Sequence, residues 1–475
     1  MSGGVTTPAQ GAFYAQLDAG ADHTCAIRPG GSVYCWGTGG AGQLGVIGAI
    51  RARTPMAVIG SYTAVQVSSG RSFWCEVLQN TKVSCTGINN SGQLGTGGVG
   101  PEQYPHEVAG LPAATRVEAG VATTCAVTAE GVFCWGEGGR GQLGDGELRF
   151  EPVTKPQKVE NLGAVADLAV GQEHACAIRE DQRILCWGGT AEGKLGTPLQ
   201  SPISLPRDPV VGLTGAIQVT TGDRHSCALT TAHVVWCWGS GELGQLGNGT
   251  NDTTSQPVQV QGLTDVAQVN GSATTTCAVR GDGTVWCWGD GTEGQLGHGI
   301  RGKSNVPVQV QGVAEATAVS VGATHACATT RSLVAYCWGS NRYAQLGSGG
   351  LIGAAGIEPA GQVVQDAVRG TAQFVPTPLA ERGTTTRGGK VYLRVLHLTR
   401  RGSKCPKSAA VTIRARGRTV VRTVRDVELA EGDCTVTGLL DLPTNTRRAF
   451  TVVVVVRGKH LKTRKVNLRI RVGQT

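Results

Sequence analysis

The chain has 475 residues, 72 of them Gly, and only 16% of them charged. That length allows more than one core. Glycine without a three-residue period excludes collagen, and no apolar run approaches the roughly 20 residues of a membrane-spanning helix. Charge divides the chain: residues 1–380 carry 21 Lys+Arg against 28 Asp+Glu, whereas residues 381–475 carry 22 against 6. Two domains with different surfaces are expected.

The opening segment, MSGGVTTPAQ, has neither a basic start nor an apolar stretch, so no export signal is legible. The cysteines argue for export, and the expectation is a trimmed leader or a misplaced start.

From residue 13 to residue 347 one unit recurs, first seen as HTCAIRPGGSVYCWGTGGAGQLG from His23 to Gly45. Residues 15–20, 23–27 and 32–37 are short β-prone runs separated by Gly and turn residues. In the last of these, Val33 and Cys35 share one face and Tyr34 and Trp36 the other. A Gly-Gln-Leu-Gly turn and a variable loop follow. The cysteine pairs are Cys25/Cys35, Cys75/Cys85, Cys125/Cys134, Cys176/Cys186, Cys227/Cys237, Cys277/Cys287 and Cys327/Cys337. Short strands in seven such units predict an all-β, seven-bladed β-propeller, in which neighbouring blades cover each other's apolar faces. The leading strand Phe13 to Leu17 and the segment Gln362 to Val368 are expected to complete the last blade together, removing open sheet edges.

A hairpin sets residues about ten apart opposite each other, roughly 4.5–5.5 Å apart at Cα and within disulfide reach. Intrablade disulfides are the favoured reading, with buried free thiols as the alternative. Metal is not expected, since no Cys-x-x-Cys pair or His pair at zinc spacing occurs. Disulfides imply an oxidising compartment. Cys405 and Cys434 remain and can pair with each other.

The Gly-x-x-His-x-Cys-Ala start, the Tyr/Trp-Cys-Trp-Gly strand and the Gly-Gln-Leu-Gly turn resemble the regulator-of-chromosome-condensation repeat family. Unit four has Lys194 for Gln, and units three and six have Thr123 and Thr275 for His. Unit seven begins its turn with Ala344. Unit two departs most, with Phe73 for His, Thr86 for Trp, and Trp74 beside Cys75. The resemblance covers residues 10–370 and implies a propeller that works through its surfaces, without catalysis. The cysteine-rich pattern is most similar to secreted bacterial members.

His23, His174, His225 and His325 recur at one repeat position. The favoured reading is a ring bonded to its own blade's backbone rather than a metal site. The tryptophans recur too, which points to packing between blades rather than to a ligand platform. No phosphate loop, Gly-x-Ser-x-Gly or His-Glu-x-x-His occurs, so no catalytic residue, cofactor or metal is expected. Variable loops at Thr96 to His106, Asp145 to Pro156, Thr197 to Pro209, Asn248 to Gln256 and His298 to Asn305 should gather on one rim. Binding residues concentrate on such loops, and aromatic and Arg side chains are the favoured anchors. Tyr104, Arg149, Phe150, Arg207, Arg301 and Tyr343 are the candidates.

The expected domains are a propeller over 1–375, a linker over 376–388 and a basic module over 389–475. The module's alternating strands predict a small immunoglobulin-like β-sandwich. Arg457, Lys459, Lys465, Arg469 and Arg471 give it a basic surface suited to anionic polymers. Nucleic acid is not expected, because aromatic interleaving is missing. The expectation is a monomeric, extracytoplasmic protein-binding scaffold, secreted and bacterial in style. An exchange-factor-like regulator of a small GTPase is the alternative.

Overall fold

The computed structural model describes residues 13–197 and 205–348 in full, and the backbone of the strands between 361 and 470. The chain divides into two compact units, Met1–Gln365 and Asp366–Thr475.

The first unit is a seven-bladed β-propeller: among the described residues it contains seven antiparallel sheets in chain order. The first blade runs Gln16–Ala19, His23–Ile27, Val33–Thr38 and Arg51–Ala57, from the axis outward. Blade four has three strands among the described residues, and in most of the other blades the outer strand comes from what reads in sequence as variable loop. Examples are Glu102–Glu107, Arg149–Lys158, Thr254–Gln259 and Ser304–Gln309. Their half-exposed Pro- and Gln-containing sequences hide the strand signal, since only one face meets a neighbouring blade.

Each expected cysteine pair of the propeller is in direct register on the second and third strands of its blade, and each is a disulfide. The bridges are Cys25–Cys35, Cys75–Cys85, Cys125–Cys134, Cys176–Cys186, Cys227–Cys237, Cys277–Cys287 and Cys327–Cys337. Their Cα–Cα distances are 4.0–4.1 Å. That is closer than the roughly 4.5–5.5 Å expected of opposed strand residues. The free-thiol alternative fails for the propeller, since no described cysteine is unpaired. The third-strand partners Cys35, Cys85, Cys134, Cys186, Cys237, Cys287 and Cys337 are buried, as are their mates, in the apolar seams between blades. None of them faces a surface, so their part is structural and they contribute nothing to a binding site. Cys405 and Cys434 lie outside the described residues.

Closure matches the sequence expectation at Gln362, which lies in the last blade, and differs from it at the amino-terminal strand. Gln16–Ala19 is the inner strand of the first blade, not a strand of the last. The last blade runs Ala316–Val321, His325–Thr330, Ala335–Gly339 and Gly361–Gln362, with Gln362 opposite Tyr336. The amino-terminal end reaches it through the Phe13↔Val334 bridge and a bond from the Tyr14 N–H to the Leu333 carbonyl, 2.7 Å. Each unit of this repeat holds an entire blade, so the ring needs no shared sheet to close.

Among the described residues the second unit has two four-stranded sheets. One is formed by Thr371–Val375, Lys390–Val395, Val436–Asp441 and Glu428–Leu429, the other by Arg418–Val421, Ala410–Ala415, Phe450–Val456 and Arg464–Ile470. The side chains of Arg457, Lys459, Lys465, Arg469 and Arg471 lie outside the described residues, as do residues 376–388.

Candidate functional site

Blade-to-blade contacts decide which surfaces are left for partners. The six buried Cys-Trp tryptophans and Trp74 form a ring of indole donors. Each Nε1–H donates to the backbone carbonyl at the Gln position of the preceding blade's turn. The bonds run Trp74 to Gln43, Trp135 to Gln93, Trp187 to Gln142, Trp238 to Lys194, Trp288 to Gln245, Trp338 to Gln295 and, across the seam, Trp36 to Gln345, at 2.8–3.0 Å. The turn must press against the indole. Gly45 has φ 62°, and a Cβ there would meet Val58 and Trp74, so a side chain is excluded by conformation and space alike. The Gln side chains lock their own turns, as when Gln43 Oε1 accepts the Ala41 N–H at 2.9 Å. Lys194 cannot accept, and instead reaches Glu173 at 3.2 Å.

The recurring histidines do not bond their own blade's backbone, contrary to the expectation from sequence. His174, His225 and His325 contact Ser226, Thr276 and Thr24 of the following blade through Nε2, at 2.8–2.9 Å. Those hydroxyls donate to the carbonyls of Lys194, Gln245 and Gln345. A hydroxyl has one proton to give, so Nε2–H is the donor to it. Nδ1 is then buried without a partner. Burial holds His225 down to about 4, His325 to about 3, and His174 well below the ordinary range. His23 faces blade two, where Trp74 replaces the hydroxyl. It has no hydrogen-bond partner among the described residues and is held down to about 4 by burial.

Near the axis the inner strands bond through side chains. Gln16, Gln66 and Gln268 each pair with both backbone groups of Val67, Val117 and Val319 in the next blade. Gln218 accepts the Val269 N–H at 2.9 Å. Arg116 and Asp167 take this place in blades three and four and pair with each other. Ala318 occupies it in blade seven, leaving the seam to Ser320, which receives the Ala19 N–H at 2.9 Å and donates to Asp18 at 2.6 Å. Burial pushes Asp18 up to about 7. At the channel mouth is a cavity of about 390 Å³ lined by Asp18, Asp22, Arg71, Glu118 and Asp223 among others.

Glu76 is a second unusual carboxyl. It sits fully buried where other blades have Ala, with one oxygen bonded to Ser61 Oγ–H and the other unpartnered. Burial pushes it up to about 8, from an ordinary 4.5. The folded state therefore keeps a proton that the unfolded chain releases above about 4.5, and stability falls as pH rises from there toward 8. Glu76→Gln should remove this contribution. Calorimetry from pH 5 to pH 8 should show the native chain losing on the order of 2 kcal/mol relative to the variant. Parallel profiles would mean that Glu76 is ionised when folded.

The loops after each Gln-Leu-Gly turn share one face with the channel mouth, since the Thr38 N–H bonds the Asp22 carbonyl at 2.9 Å. Tyr343 and Arg301 lie on this rim and are exposed, with Arg51 over the Tyr343 ring at 5.8 Å. Arg149 and Phe150 open an outer strand rather than lie in a loop; Arg149 pairs with Asp145 at 2.5 Å, and Phe150 is 82% exposed. Tyr104 is also on a strand, half-buried against His106, with ring centroids 4.4 Å apart. Arg207 is exposed on the segment leading to the bridge at Pro209. The six are dispersed around the ring and form no single cluster. Sequence reasoning missed Ile47, Ile50, Val99, Leu148 and Ile300, exposed apolar side chains on the same rim. Their signal was apolar residues in Gly-rich loops outside any strand alternation.

Among the described residues no group of His, Cys, Asp and Glu could hold a metal, and no helix is long and apolar enough to cross a membrane.

Comparison with known proteins agrees with this architecture. The RCC1-like domain family matches residues 65–363, and regulator of chromosome condensation (RCC1) repeats match residues 14–43 and 30–75. Human E3 ubiquitin-protein ligase HERC2 is 34% identical over 145 residues, 29% of this chain but 3% of that protein. Protein pim1 of Schizosaccharomyces pombe is 32% identical over 144 residues, 26% of each. This chain thus spans a small part of these relatives. Human WBSCR16 has the same fold at TM-score 0.63 and 23% identity, covering 72% of this chain and 96% of that one. Prp20p of Saccharomyces cerevisiae, whose structure was reported with its binding to Gsp1p and histones, matches at TM-score 0.63 and 20% identity, covering 74% and 88%. With seven disulfide-bearing blades in the ring and a matching profile over most of it, this chain belongs to the RCC1-like domain family.

Proposed function

We infer that this protein is an extracytoplasmic, non-catalytic scaffold that binds a protein partner on the propeller rim. The observation that carries the reading is the closure of a buried disulfide in every blade. Such bridges persist in oxidising compartments and are rare in the cytosol. They favour a likeness to secreted bacterial members of the family. The rim supports binding, because a rigid ring displays apolar side chains that gain nothing by pointing into water, above all Ile50 and Phe150, 78% and 82% exposed. The carboxy-terminal unit, read as an immunoglobulin-like sandwich over 389–475, attaches the propeller to an anionic surface polymer or to the partner through its excess of Lys and Arg.

Intact mass of protein purified from its host under non-reducing conditions, after thiol blocking, should show all propeller cysteines unlabelled. Labelled thiols in folded protein would reject export and favour the exchange-factor-like alternative. Full-length Ile50→Ala and Phe150→Ala variants should each lose about tenfold or more in capture of the host partner, as central hot-spot residues do, with unchanged thermal stability. Undiminished capture by both would remove the rim from the reading.

A further inference from the structure

Blade three carries a feature its neighbours lack. Its third strand, Gly131–Gly138, has eight residues and its outer strand, Arg149–Lys158, has ten, the longest of the propeller's described strands. The pair Gly138↔Arg149 brings the hairpin up to the rim. Phe150 follows directly and lies along Gly139, where an added Cβ would come within 3.4 Å of the ring. A cavity of about 180 Å³ is lined by Gly138, Gly139, Phe150 and Pro152, and by the charged residues Glu137, Arg149 and Glu151.

The charges there are unbalanced. Arg149, also in the lining, is held by Asp145 at 2.5 Å, and Arg140 lies 3.7 Å from Glu173. Glu137 and Glu151 are exposed and have no ion pair among the described residues. Lys158 sits opposite Phe133, at the far end of the strand. An open aromatic face beside two uncompensated carboxylates has one good complement. It is a cationic side chain whose stem covers the apolar floor while its head meets the carboxylates. A planar guanidinium fits better than an ammonium, because it stacks on the ring and bonds carboxylates in the same plane.

Resting on the rim-binding reading, we propose that the blade-three cavity receives an arginine side chain of the protein partner, with Phe150 as the stacking surface and Glu137 and Glu151 as the counter-charges. The occupant is a basic partner segment with an adjacent apolar residue.

The test uses the full-length chain labelled with 4-fluorophenylalanine at its 6 Phe positions, with the Phe150 resonance assigned by Phe150→Leu. N-acetyl-arginyl-leucinamide should shift that resonance saturably, and N-acetyl-glutamyl-leucinamide should leave it in place. Glu137→Gln combined with Glu151→Gln should weaken the arginine response about fivefold, and 0.5 M salt should do the same. Equal responses to both dipeptides, or none to either, overturn the proposal. If Phe150 stays silent while Ile50→Ala still impairs partner capture, the rim reading survives and the arginine cavity does not.

Discussion

Trp36→Ala should destabilise the propeller by roughly 3–5 kcal/mol, the usual cost of emptying a large aromatic site in a close-packed core. Trp36 is wholly buried among residues of the first and last blades, including Cys327, Ala335 and Leu346. Its Nε1–H crosses the seam to the Gln345 carbonyl at 2.8 Å. No described disulfide spans that seam, and Ala318 offers no amide to bridge it. Trp36→Phe keeps most of the packing and should cost about 1–2 kcal/mol, since Thr24 still donates to the Gln345 carbonyl. Trp236 precedes its cysteine and is only partly buried, so Trp236→Ala should cost under about 2 kcal/mol. Urea unfolding of the oxidised proteins measures all three. Equal costs at Trp36 and Trp236 would mean that the indole ring between blades is not what holds the circle closed.

Trp74→Thr should also cost roughly 3–5 kcal/mol, and adding Thr86→Trp should restore nearly all of it. In the other six blades the tryptophan sits on the third strand, opposite Thr24, Thr124, Ala175, Ser226, Thr276 or Ala326. In blade two Trp74 is on the second strand and Thr86 opposite it on the third. The pair is exchanged across the ladder, yet Trp74 Nε1–H still finds the Gln43 carbonyl at 2.9 Å. Direct cross-strand neighbours share one face, so either arrangement can present the indole to blade one. The exchanged variant also gives His23 the hydroxyl partner that His174, His225 and His325 have. A double-mutant cycle should therefore show a coupling of about 3 kcal/mol, the upper end for residues in contact. Simple addition of the two single costs would show that blade two is packed around Trp74 in a way the other blades are not.

The ring of seven units and the cysteine register were legible because both are local: strand, turn and strand fall within one unit, and opposition follows from hairpin length. The partners of the histidines were not legible, because His225 meets Thr276 and His325 meets Thr24. Such a contact is set by how one blade abuts the next, and nothing in a single unit encodes it. The bridging Gln16, Gln66, Gln218 and Gln268 did leave a trace, recurring near the blade spacing, but a glutamine in a strand reads as a solvent-facing residue. In the candidate site, Phe150 and Arg149 were named from residue type alone, and the structure places both on the blade-three cavity. The cavity beside them depends on an outer strand whose Pro-containing sequence masks it, and Ile50 and Ile300 were passed over because aromatic and Arg residues were favoured as anchors. Lys194 was seen as a departure from Gln-Leu-Gly, while its compensation by Glu173 depends on two turns of blade four meeting.

Every described cystine joins a cysteine to the next one along the polypeptide, 9 or 10 residues away. Under the export proposed above, a chain threaded amino end first through a translocation pore meets each correct mate before any wrong one emerges. An oxidase that couples successive thiols as they appear writes the native pattern directly, and the propeller can mature without an isomerase to undo mistakes.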